Sequence, residues 1–342
     1  MNAARQKVFI ATDLVMDRAL SQTAAALEAE GVEVVRGPAS QPGIKTEFAA
    51  ADLGHYFGGT DVVVVSTRSV LSPQVLQACD RLRAIVFPSI GTEAVDLAKM
   101  TERNILVANG ATPENFMSMS EATVLLILQL FYRLRDTEEI LRQNQPRPQH
   151  MHARMLRGKT IGLIGFGRIA RGIAERLQGW GVEILAFDPF VTASDLARMV
   201  DLEELLRSSD VVSIHTTLTP DTRHLIGAPQ LRLMKRGAAL INTSRGLCID
   251  EDAVAQALKD GTLGAAALDA FAVEPLPADS ALRTAPHAIL TPHMVGHTQE
   301  LFDSFAPACI GNVRALLAGE LPAYVCNPDV TARWRAVHGE AS

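Results

Sequence analysis

The sequence predicts an α/β protein of two domains, each built on a doubly wound parallel sheet. Short apolar segments with strand character alternate with helical segments along nearly the whole chain. A glycine-rich turn, Gly165-x-Gly167-x-x-Ala170, joins one such strand directly to a helix. The length of 342 residues corresponds to about two domains.

The amino-terminal part of the chain predicts a complete α/β unit. An Ala-rich segment, residues 16–30, precedes Gly31 and is typical of a helix that ends at glycine. Pro73, directly after Ser72, is typical of a first helical turn. Because the predicted strands alternate with helices, their sheet is parallel. The strands are 7–11, 32–36, 61–65, 82–87 and 105–108, and the other helices are 94–103 and an irregular one within 46–56.

Two helical segments are predicted to link this unit with the rest of the chain. Thr112 and Pro113 have the residue types of an N-cap and a first helical position, and they predict one helix over residues 115–143. The polar, proline-containing residues 143–150 then predict a linker or a surface loop. A second linking helix is predicted at 298–318.

The glycine-rich turn lies in the sequence context of a dinucleotide-binding site. It follows an apolar strand and opens an amphipathic helix. Gly165 permits the tight turn, Gly167 lets a pyrophosphate approach the backbone, and the small Ala170 allows the helix to pack on the strand. The amides at the helix start attract the pyrophosphate. The strands predicted in this second unit, six as in a complete dinucleotide-binding fold, are 161–164, 184–187, 211–215, 239–242, 265–270 and 289–291.

The acidic residue Asp188 indicates the form of the cofactor. It ends the second strand of the unit, where a carboxylate accepts hydrogen bonds from an adenosine ribose. It would repel a 2′-phosphate, and residues 189–191 contain no arginine to bind one. The sequence therefore predicts NAD rather than NADP. The alternative, a glycine-rich turn in an unrelated α/β protein, does not account for both strands, the helix and the acid.

Composition excludes several classes of function. The net charge of −6 and the lack of a long basic run argue against nucleic acid as a partner. The four cysteines are far apart and form no C-x-x-C pair, which indicates neither a metal site nor a disulfide framework and fits a reducing compartment. The polar residues 1–7 predict no signal peptide, and the apolar stretch 124–131 is too short to span a bilayer. We therefore expect a cytoplasmic protein without a membrane partner.

Polar residues follow four strands of the second unit, at the edge where open α/β sheets bind their ligands. Taken singly, each has a structural alternative, because an arginine after a strand is usually a surface charge and a histidine beside proline is often a satisfied turn residue. Their common location favours a functional site. These residues are His215 to Thr217, Thr243 to Arg245, Asp269 and His293.

Four ordered motifs resemble those of the D-2-hydroxyacid dehydrogenase family, which contains phosphoglycerate dehydrogenase, D-lactate dehydrogenase and glyoxylate/hydroxypyruvate reductase. The motifs are 156–169 around the glycine-rich turn, 241–246 (INTSRG) with 250–253 (DEDA), 268–275 (LDAFAVEP) and 290–293 (LTPH). The resemblance implies a Rossmann NAD-binding domain, residues 115–296, inserted into a flavodoxin-like substrate-binding domain made of residues 1–114 and 297–342.

The resemblance also implies that Arg245, Glu274 and His293 are the catalytic residues. Reduction of a 2-oxo acid needs a hydride, a proton for the carbonyl oxygen and a cation for the carboxylate. A histidine can donate the proton near neutral pH, and a glutamate bonded to it raises its pKa. An arginine can bind the carboxylate and the carbonyl oxygen and stabilise the developing alkoxide.

Further positions follow from the same resemblance. Asp269 matches the residue that orients the nicotinamide carboxamide. The backbone amides of Ser89, Ile90 and Gly91 would hold the substrate carboxylate, and Arg68 would meet the distal end of the substrate. Other cofactor contacts are implied for Gly165, Gly167, Arg168, Ile169, Asp188, Thr216, Thr243, Ser244 and Gly296.

Two other functions occur on the same fold. A catalytically silent NAD-sensing scaffold keeps the same catalytic residues, and the lack of long disordered flanks argues against it. Formate dehydrogenase transfers a hydride without proton transfer and has glutamine at the position of Glu274, so Glu274 argues against it.

The sequence leaves the substrate and the oligomeric state open. Arg68 could meet a phosphate, a second carboxylate or a hydroxyl. Because Val70 and Leu71 follow instead of a second basic residue, we favour reduction of a small unphosphorylated 2-oxo acid such as glyoxylate or hydroxypyruvate. The resemblance implies a homodimer with contacts from helix 115–143 and the loop before Leu156, and an intramolecular hinge helix is the alternative.

Overall fold

The computed structural model describes residues 5–339 and divides them into two compact units. Unit 1 contains the residues up to Glu114 and those from Thr298 onward. Unit 2 contains Asn115–His297. Unit 2 is therefore inserted between two segments of unit 1.

Unit 1 is built on a five-stranded parallel sheet with the strand order β2-β1-β3-β4-β5. This is the flavodoxin-like order. Its elements are β1 (Lys7–Ile10), α1 (Asp17–Ala29), β2 (Glu33–Arg36), α2 (Leu53–Phe57), β3 (Val62–Val64), α3 (Pro73–Ala78), β4 (Ala84–Val86), α4 (Leu97–Glu102), β5 (Leu106–Ala108), and, after unit 2, α11 (Gln299–Leu317) and α12 (Thr331–His338).

The core of unit 1 lies on both faces of this sheet because successive side chains of a strand point to opposite faces. In β1, Val8 and Ile10 pack with α1, α11 and α12, whereas Phe9 packs into the cluster on the other face. Both faces are covered, so β3, β4 and β5 and most of β1 are apolar and buried, as is typical of parallel sheets. The helix predicted to start at Ser72-Pro73 does so, and Ser72 Oγ accepts a hydrogen bond from the amide of Val75 at 3.3 Å.

The carboxyl-terminal segment is hydrogen-bonded to β5, an edge strand of the same sheet. The side chain of Asn327 accepts a hydrogen bond from the Val107 amide at 2.8 Å and donates one to the Ile105 carbonyl at 3.0 Å. Trp334, on α12, is fully buried and donates through Nε1 to the Arg83 carbonyl at 2.8 Å. The sequence did not predict α12, because its apolar residues are few and only Trp334 is buried.

Unit 2 is built on a seven-stranded parallel sheet with the strand order β12-β11-β10-β9-β6-β7-β8. This is the doubly wound dinucleotide-binding order, with the reversal between β6 and β9. Its elements are α5 (Pro113–Tyr132), α6 (Leu134–Arg142), β6 (Thr160–Ile164), α7 (Arg168–Arg176), β7 (Glu183–Phe187), β8 (Arg198–Met199), α8 (Leu202–Ser208), β9 (Val211–Ile214), α9 (Ala228–Leu233), β10 (Ala238–Asn242), α10 (Glu251–Lys259), β11 (Leu263–Leu268) and β12 (Ala288–Leu290).

The α/β class with two parallel sheets is confirmed, and two details of the prediction are wrong. The single helix expected over 115–143 is two helices, because Arg133 adopts a left-handed conformation with φ of 51° between α5 and α6. The second unit has a seventh strand, β8, whose two residues are too few to form a sequence pattern. Among residues 5–339, no helix combines the length and the apolar character that crossing a lipid bilayer requires.

Candidate active site

The glycine-rich turn between β6 and α7 has the backbone that its residue types require. Gly165 has a φ of +84°, and a Cβ there would lie 2.8 Å from the carbonyl oxygen of His215. A Cβ on Gly167 would meet no atom within 4 Å, so open space adjoins the start of α7. Ala170 is fully buried on the inner face of α7. The turn therefore offers an anion both room and the positive end of a helix.

Asp188 connects the end of β7 to this turn. Its Oδ2 accepts a hydrogen bond from the Phe166 amide at 2.8 Å, and its Oδ1 accepts one from the Phe190 amide at 2.8 Å. A carboxylate oxygen has more than one acceptor site, so Asp188 can also accept bonds from ribose hydroxyls.

The first turn of α7 is held against α5. The Arg168 guanidinium lies over the Phe116 ring at 3.6 Å from the ring centre. Ser120, also on α5, donates through Oγ to the Ile169 carbonyl at 3.0 Å. These two predicted cofactor residues are thus fixed by a helix that precedes the cofactor-binding motif in sequence.

The ends of β9 and β10 carry buried polar groups. The His215 ring contacts Ser213 Oγ through Nε2 at 2.8 Å, and burial lowers the pKa of His215 to about 3, so the ring is neutral. Thr216 donates through Oγ1 to the Thr217 carbonyl at 2.8 Å. Thr243 Oγ1 is buried and has no hydrogen-bond partner within the described chain. A buried unpaired hydroxyl is costly, and a bound ligand would satisfy it.

These features fit a dinucleotide. The turn has open space at Gly167, Asp188 stands at the end of the neighbouring strand, and Thr243 lacks a partner that a cofactor would supply. No group of three or more histidine, cysteine, aspartate or glutamate residues within 5–339 is arranged to hold a metal ion.

A buried asparagine shapes the turn that carries Arg245. Asn242, the last residue of β10, donates through Nδ2 to the Arg245 carbonyl at 2.9 Å. Its Oδ1 accepts bonds from the Ser244 amide at 3.1 Å and from Ser244 Oγ at 2.7 Å. The sequence did not predict Asn242 as a site residue. The available signal was an amide residue, rather than an apolar one, at the end of a buried strand.

Gly246 brings this turn against the segment that leads to Glu274. A Cβ on Gly246 would lie 1.9 Å from the Phe271 carbonyl carbon and 2.2 Å from the Ala272 nitrogen. Glycine is therefore required here by the close approach of two backbones. The charge of Arg245 acts on both Glu274 and His293.

His293 and Glu274 are in direct contact. Nδ1 of His293 lies 2.9 Å from Oε1 and 3.0 Å from Oε2 of Glu274. The Phe271 amide donates to Glu274 Oε1 at 3.0 Å, which orients the carboxylate. The Nε2 atom of His293 makes no hydrogen bond within the described residues, so it remains available to a substrate.

The electrostatics of this pair favour a charged imidazole. The hydrogen bond to Glu274 raises the pKa of His293, and the charges of Glu274 and Asp269 add to it, against burial and Arg245. Burial acts to raise the pKa of Glu274, but the bonds from His293 and Phe271 and the charge of Arg245 prevail and lower it. The arrangement thus keeps Glu274 ionised and makes a proton on His293 available near neutral pH.

Asp269 fixes the backbone around His293. It is buried, and its Oδ1 accepts bonds from Thr291 Oγ1 at 2.7 Å, the Met294 amide at 2.9 Å and the Val295 amide at 3.1 Å. These bonds hold His293 in a left-handed conformation with φ of 57°. Such a conformation is costly for a residue other than glycine and is typical of functional sites.

Asp269 and Gly296, both predicted to contact the cofactor, also make contacts within unit 2. Asp269 holds the turn at His293, and its Oδ2 makes no hydrogen bond within the described chain. A Cβ on Gly296 would lie 2.0 Å from Met119 Sδ, so the turn packs closely on α5.

The predicted substrate residues belong to unit 1. The carbonyl of Ser89 accepts a bond from the Gly110 amide at 3.0 Å, and that of Ile90 accepts one from Asn109 Nδ2 at 2.8 Å. The amides of Ser89, Ile90 and Gly91 donate to no described residue. Arg68 forms an ion pair with Asp13, whose side chain is fully buried, at 3.2 Å.

Several known proteins are similar to this chain in sequence. The family model described as "D-isomer specific 2-hydroxyacid dehydrogenase, NAD binding domain" matches residues 124–295. A glyoxylate reductase of Thermofilum pendens is 36% identical over 280 residues, which cover 79% of this chain and 82% of that protein. An (S)-sulfolactate dehydrogenase of Chromohalobacter salexigens is 38% identical over 269 residues, which cover 76% and 85%.

A solved structure has the same fold. The NAD-dependent formate dehydrogenase from Staphylococcus aureus, crystallised in complex with NAD, matches with a TM-score of 0.77 and 27% identity. The match covers 91% of this chain and 95% of that chain.

Proposed function

Since the chain belongs to the D-isomer specific 2-hydroxyacid dehydrogenase family and is an NAD-dependent enzyme of that class, we propose that it reduces a small unphosphorylated 2-oxo acid. Glyoxylate and hydroxypyruvate are the substrates we favour. The observation that carries the reduction is the contact between His293 Nδ1 and Glu274 at 2.9 Å, together with the raised pKa of His293. The choice of an unphosphorylated substrate follows from Val70 and Leu71, which stand after Arg68 where a second basic residue would bind a phosphate.

His293 is the proposed general acid. When bound, NADH would supply the hydride that the carbonyl carbon needs. The carbonyl oxygen then needs a proton, which His293 provides from Nε2 while Glu274 holds Nδ1. Because the pKa of His293 is raised, the protonated form persists near neutral pH, and this favours reduction over oxidation.

Arg245 is the proposed electrophilic group. Its charge reaches both Glu274 and His293, so it lies at the same end of the sheet as the proton donor. A guanidinium can bind the substrate carboxylate and the carbonyl oxygen, and it stabilises the negative charge that develops on that oxygen. Asn242 holds the Arg245 carbonyl and so sets the backbone of this residue.

The cofactor is proposed to lie along the ends of β6, β7 and β10. Gly165, Gly167, Arg168 and Ile169 would receive the pyrophosphate at the start of α7, and Asp188 would bind the ribose. Thr243 would satisfy its unpaired hydroxyl with the cofactor. Thr216, Ser244, Asp269 and Gly296 complete the proposed set.

Unit 1 is proposed to bind the remainder of the substrate. The free amides of Ser89, Ile90 and Gly91 are suited to a carboxylate, because successive N–H groups form an anion-binding concavity. Arg68, half exposed and paired with Asp13, is proposed to meet the distal end of the substrate.

The proposal is tested by NADH oxidation with glyoxylate, hydroxypyruvate, pyruvate, phenylpyruvate and phosphohydroxypyruvate. Preferred turnover of an unphosphorylated member, abolished in His293→Ala, would support it. His287→Ala is a matched control, because His287 also stands beside a carboxylate of unit 2, Asp136 at 3.8 Å. No turnover of any member by a protein that binds NADH would overturn it in favour of an NAD-sensing scaffold.

Formate dehydrogenase activity is the second candidate, because a formate dehydrogenase shares this fold. That reaction transfers no proton to or from the substrate, so it has no use for a carboxylate that raises the pKa of a histidine. NAD reduction by formate in the same assay would support this candidate instead.

We further propose a cytoplasmic homodimer. Large apolar side chains on and after the helices that precede β6 are half exposed or more, which is typical of an interaction surface. Sedimentation as a monomer at micromolar concentration would contradict the dimer. These side chains are Leu125, Tyr132, Leu134, Leu141 and Met155.

A further inference from the structure

The segment that follows β1 contains a buried carboxylate. Asp13 is 1% exposed, and its Oδ1 accepts hydrogen bonds from the Val15 amide at 2.8 Å and the Met16 amide at 2.9 Å. Its Oδ2 accepts a bond from the hydroxyl of Ser66. The Nη1 atom of Arg68 lies 3.2 Å from Oδ2 and 3.4 Å from Oδ1.

Arg68 is fixed by hydrogen bonds at its backbone and by the contact of one guanidinium nitrogen with Asp13. Its amide donates to Ser66 Oγ at 3.1 Å, so the hydroxyl bound by Asp13 also fixes the backbone of Arg68. Its carbonyl accepts a bond from the Thr46 amide at 2.8 Å. The side chain is 51% exposed, and Asp13 contacts its guanidinium only at Nη1. The remaining guanidinium N–H groups are therefore available to a ligand, and the contacts of Arg68 with Ser66, Thr46 and Asp13 fix their position.

The charges of the two side chains cancel. Burial acts to raise the pKa of Asp13, but the hydrogen bonds from Ser66 and from the Met16 and Val15 amides and the charge of Arg68 prevail and lower it. Asp13 therefore stays ionised near neutral pH, and the pair has no net charge. An anion that contacted Arg68 would also lie close to the Asp13 carboxylate, and repulsion between them would offset much of the attraction to Arg68.

We propose that Asp13 is a specificity-determining residue: it orients Arg68 and neutralises it, so that the distal group of the substrate is an uncharged hydrogen-bond acceptor such as a hydroxyl. Substrates with a distal phosphate, sulfonate or second carboxylate are discriminated against. This inference rests on the proposed function, because it assigns the substrate class of the same site.

The test compares pairs of 2-oxo acids that differ only at the distal end. Hydroxypyruvate and phosphohydroxypyruvate form one pair, and hydroxypyruvate and sulfopyruvate form the other. For the native enzyme we expect kcat/KM to be higher for hydroxypyruvate. In Asp13→Asn the side chain can still accept from the Val15 and Met16 amides, but the negative charge is gone. We expect the ratio of kcat/KM for the anionic substrate to that for hydroxypyruvate to rise at least about tenfold.

Further measurements separate an effect of the Asp13 charge from damage to the fold. The gain should be carried by KM for the anionic substrate and should diminish as ionic strength increases. The double variant Asp13→Asn, Arg68→Gln should lose it, because Arg68 would be the group that attracts the anion. Asp61→Asn is the matched control, since Asp61 is a buried carboxylate of unit 1 that pairs with Arg81 and Arg83, and this change should leave the ratio unaltered.

The outcomes distinguish this inference from the proposed function. Glyoxylate has no distal group and reports the reaction alone. If glyoxylate is reduced but Asp13→Asn leaves the ratio unchanged, the inference about Asp13 is overturned and the proposed function stands. If the native enzyme prefers the anionic substrates, the inference about Asp13 and the choice of an unphosphorylated substrate are both overturned, and 2-oxo acid reduction stands. If no 2-oxo acid is reduced, the proposed function fails and the inference fails with it.

Discussion

His293 and Glu274 are joined by a contact of 2.9 Å between Nδ1 and Oε1, although 19 positions separate them in the chain. Each residue is fixed independently, His293 by the Asp269 bonds to Met294 and Val295 and Glu274 by the Phe271 amide. The pair is therefore preorganised before any substrate binds, which is what efficient proton transfer requires.

Glu274→Gln should impair reduction most strongly at alkaline pH. Glu274 raises the pKa of His293, and reduction needs the protonated imidazole, so native activity declines as pH rises through that raised pKa. Without the carboxylate the pKa of His293 falls, and the decline begins at lower pH. We expect kcat/KM for 2-oxo acid reduction near pH 8 to drop about 10²-fold.

The measurement is the pH profile of kcat/KM for both reaction directions. Oxidation uses the neutral imidazole, so its profile should move in the same direction. Asp279→Asn, which changes an exposed carboxylate of the same unit, should leave the profile in place. An unaltered profile in Glu274→Gln would rule out the proposed role of Glu274.

Asp188→Ser should relax the preference for NADH. The change removes the charge that repels a 2′-phosphate, together with acceptors of the Phe166 and Phe190 amides. We expect the ratio of kcat/KM for NADPH to that for NADH to increase about tenfold or more, with KM for NADH raised. Asp195→Ser removes an exposed charge nearby in sequence and serves as control. A native enzyme that prefers NADPH would contradict the assignment of Asp188.

Gly246→Ala should destabilise unit 2 and displace Arg245. The new Cβ would overlap the backbone of Phe271 and Ala272 at 1.9 and 2.2 Å, so one of the two segments must move. We expect a loss of more than about 2 kcal/mol, seen as a lower melting temperature, and a fall in kcat. In contrast, Gly311→Ala lies within α11, meets no atom within 4 Å, and should stabilise by about 0.5–1 kcal/mol. Equal melting temperatures for the two variants would contradict the close approach of Gly246 to Phe271 and Ala272.

The four thiols should be inert in the folded protein. Burial raises the pKa of Cys79 and of Cys309 to about 12 and that of Cys326 to about 11, and it also raises the pKa of Cys248. Because the thiolate is the reactive form, iodoacetamide near neutral pH should modify none of them at an appreciable rate. Mass spectrometry should show no adduct on the native enzyme and four after unfolding. Rapid labelling of a single cysteine would show that its surroundings open in solution.

The sequence by itself determined the two parallel sheets, the dinucleotide-binding turn and the identities of Arg245, Glu274 and His293 as candidates. The sheets and the turn are local features, since apolar runs and glycines in a strand-turn-helix segment are each readable within a few tens of residues. The three catalytic candidates were implied by the resemblance of four ordered motifs to the D-2-hydroxyacid dehydrogenases. They needed no knowledge of distant contacts.

The tertiary structure decided what depends on residues far apart in the chain. The break at Arg133 and the docking of Trp334 follow from packing that no local pattern encodes. Asp13 and Arg68 are 55 positions apart, and only the parallel pairing of β1 with β3 brings the segments after these strands together. The catalytic candidates came from the sequence, whereas the groups that hold and tune them came from the fold, because orientation and pKa are set by neighbours in space.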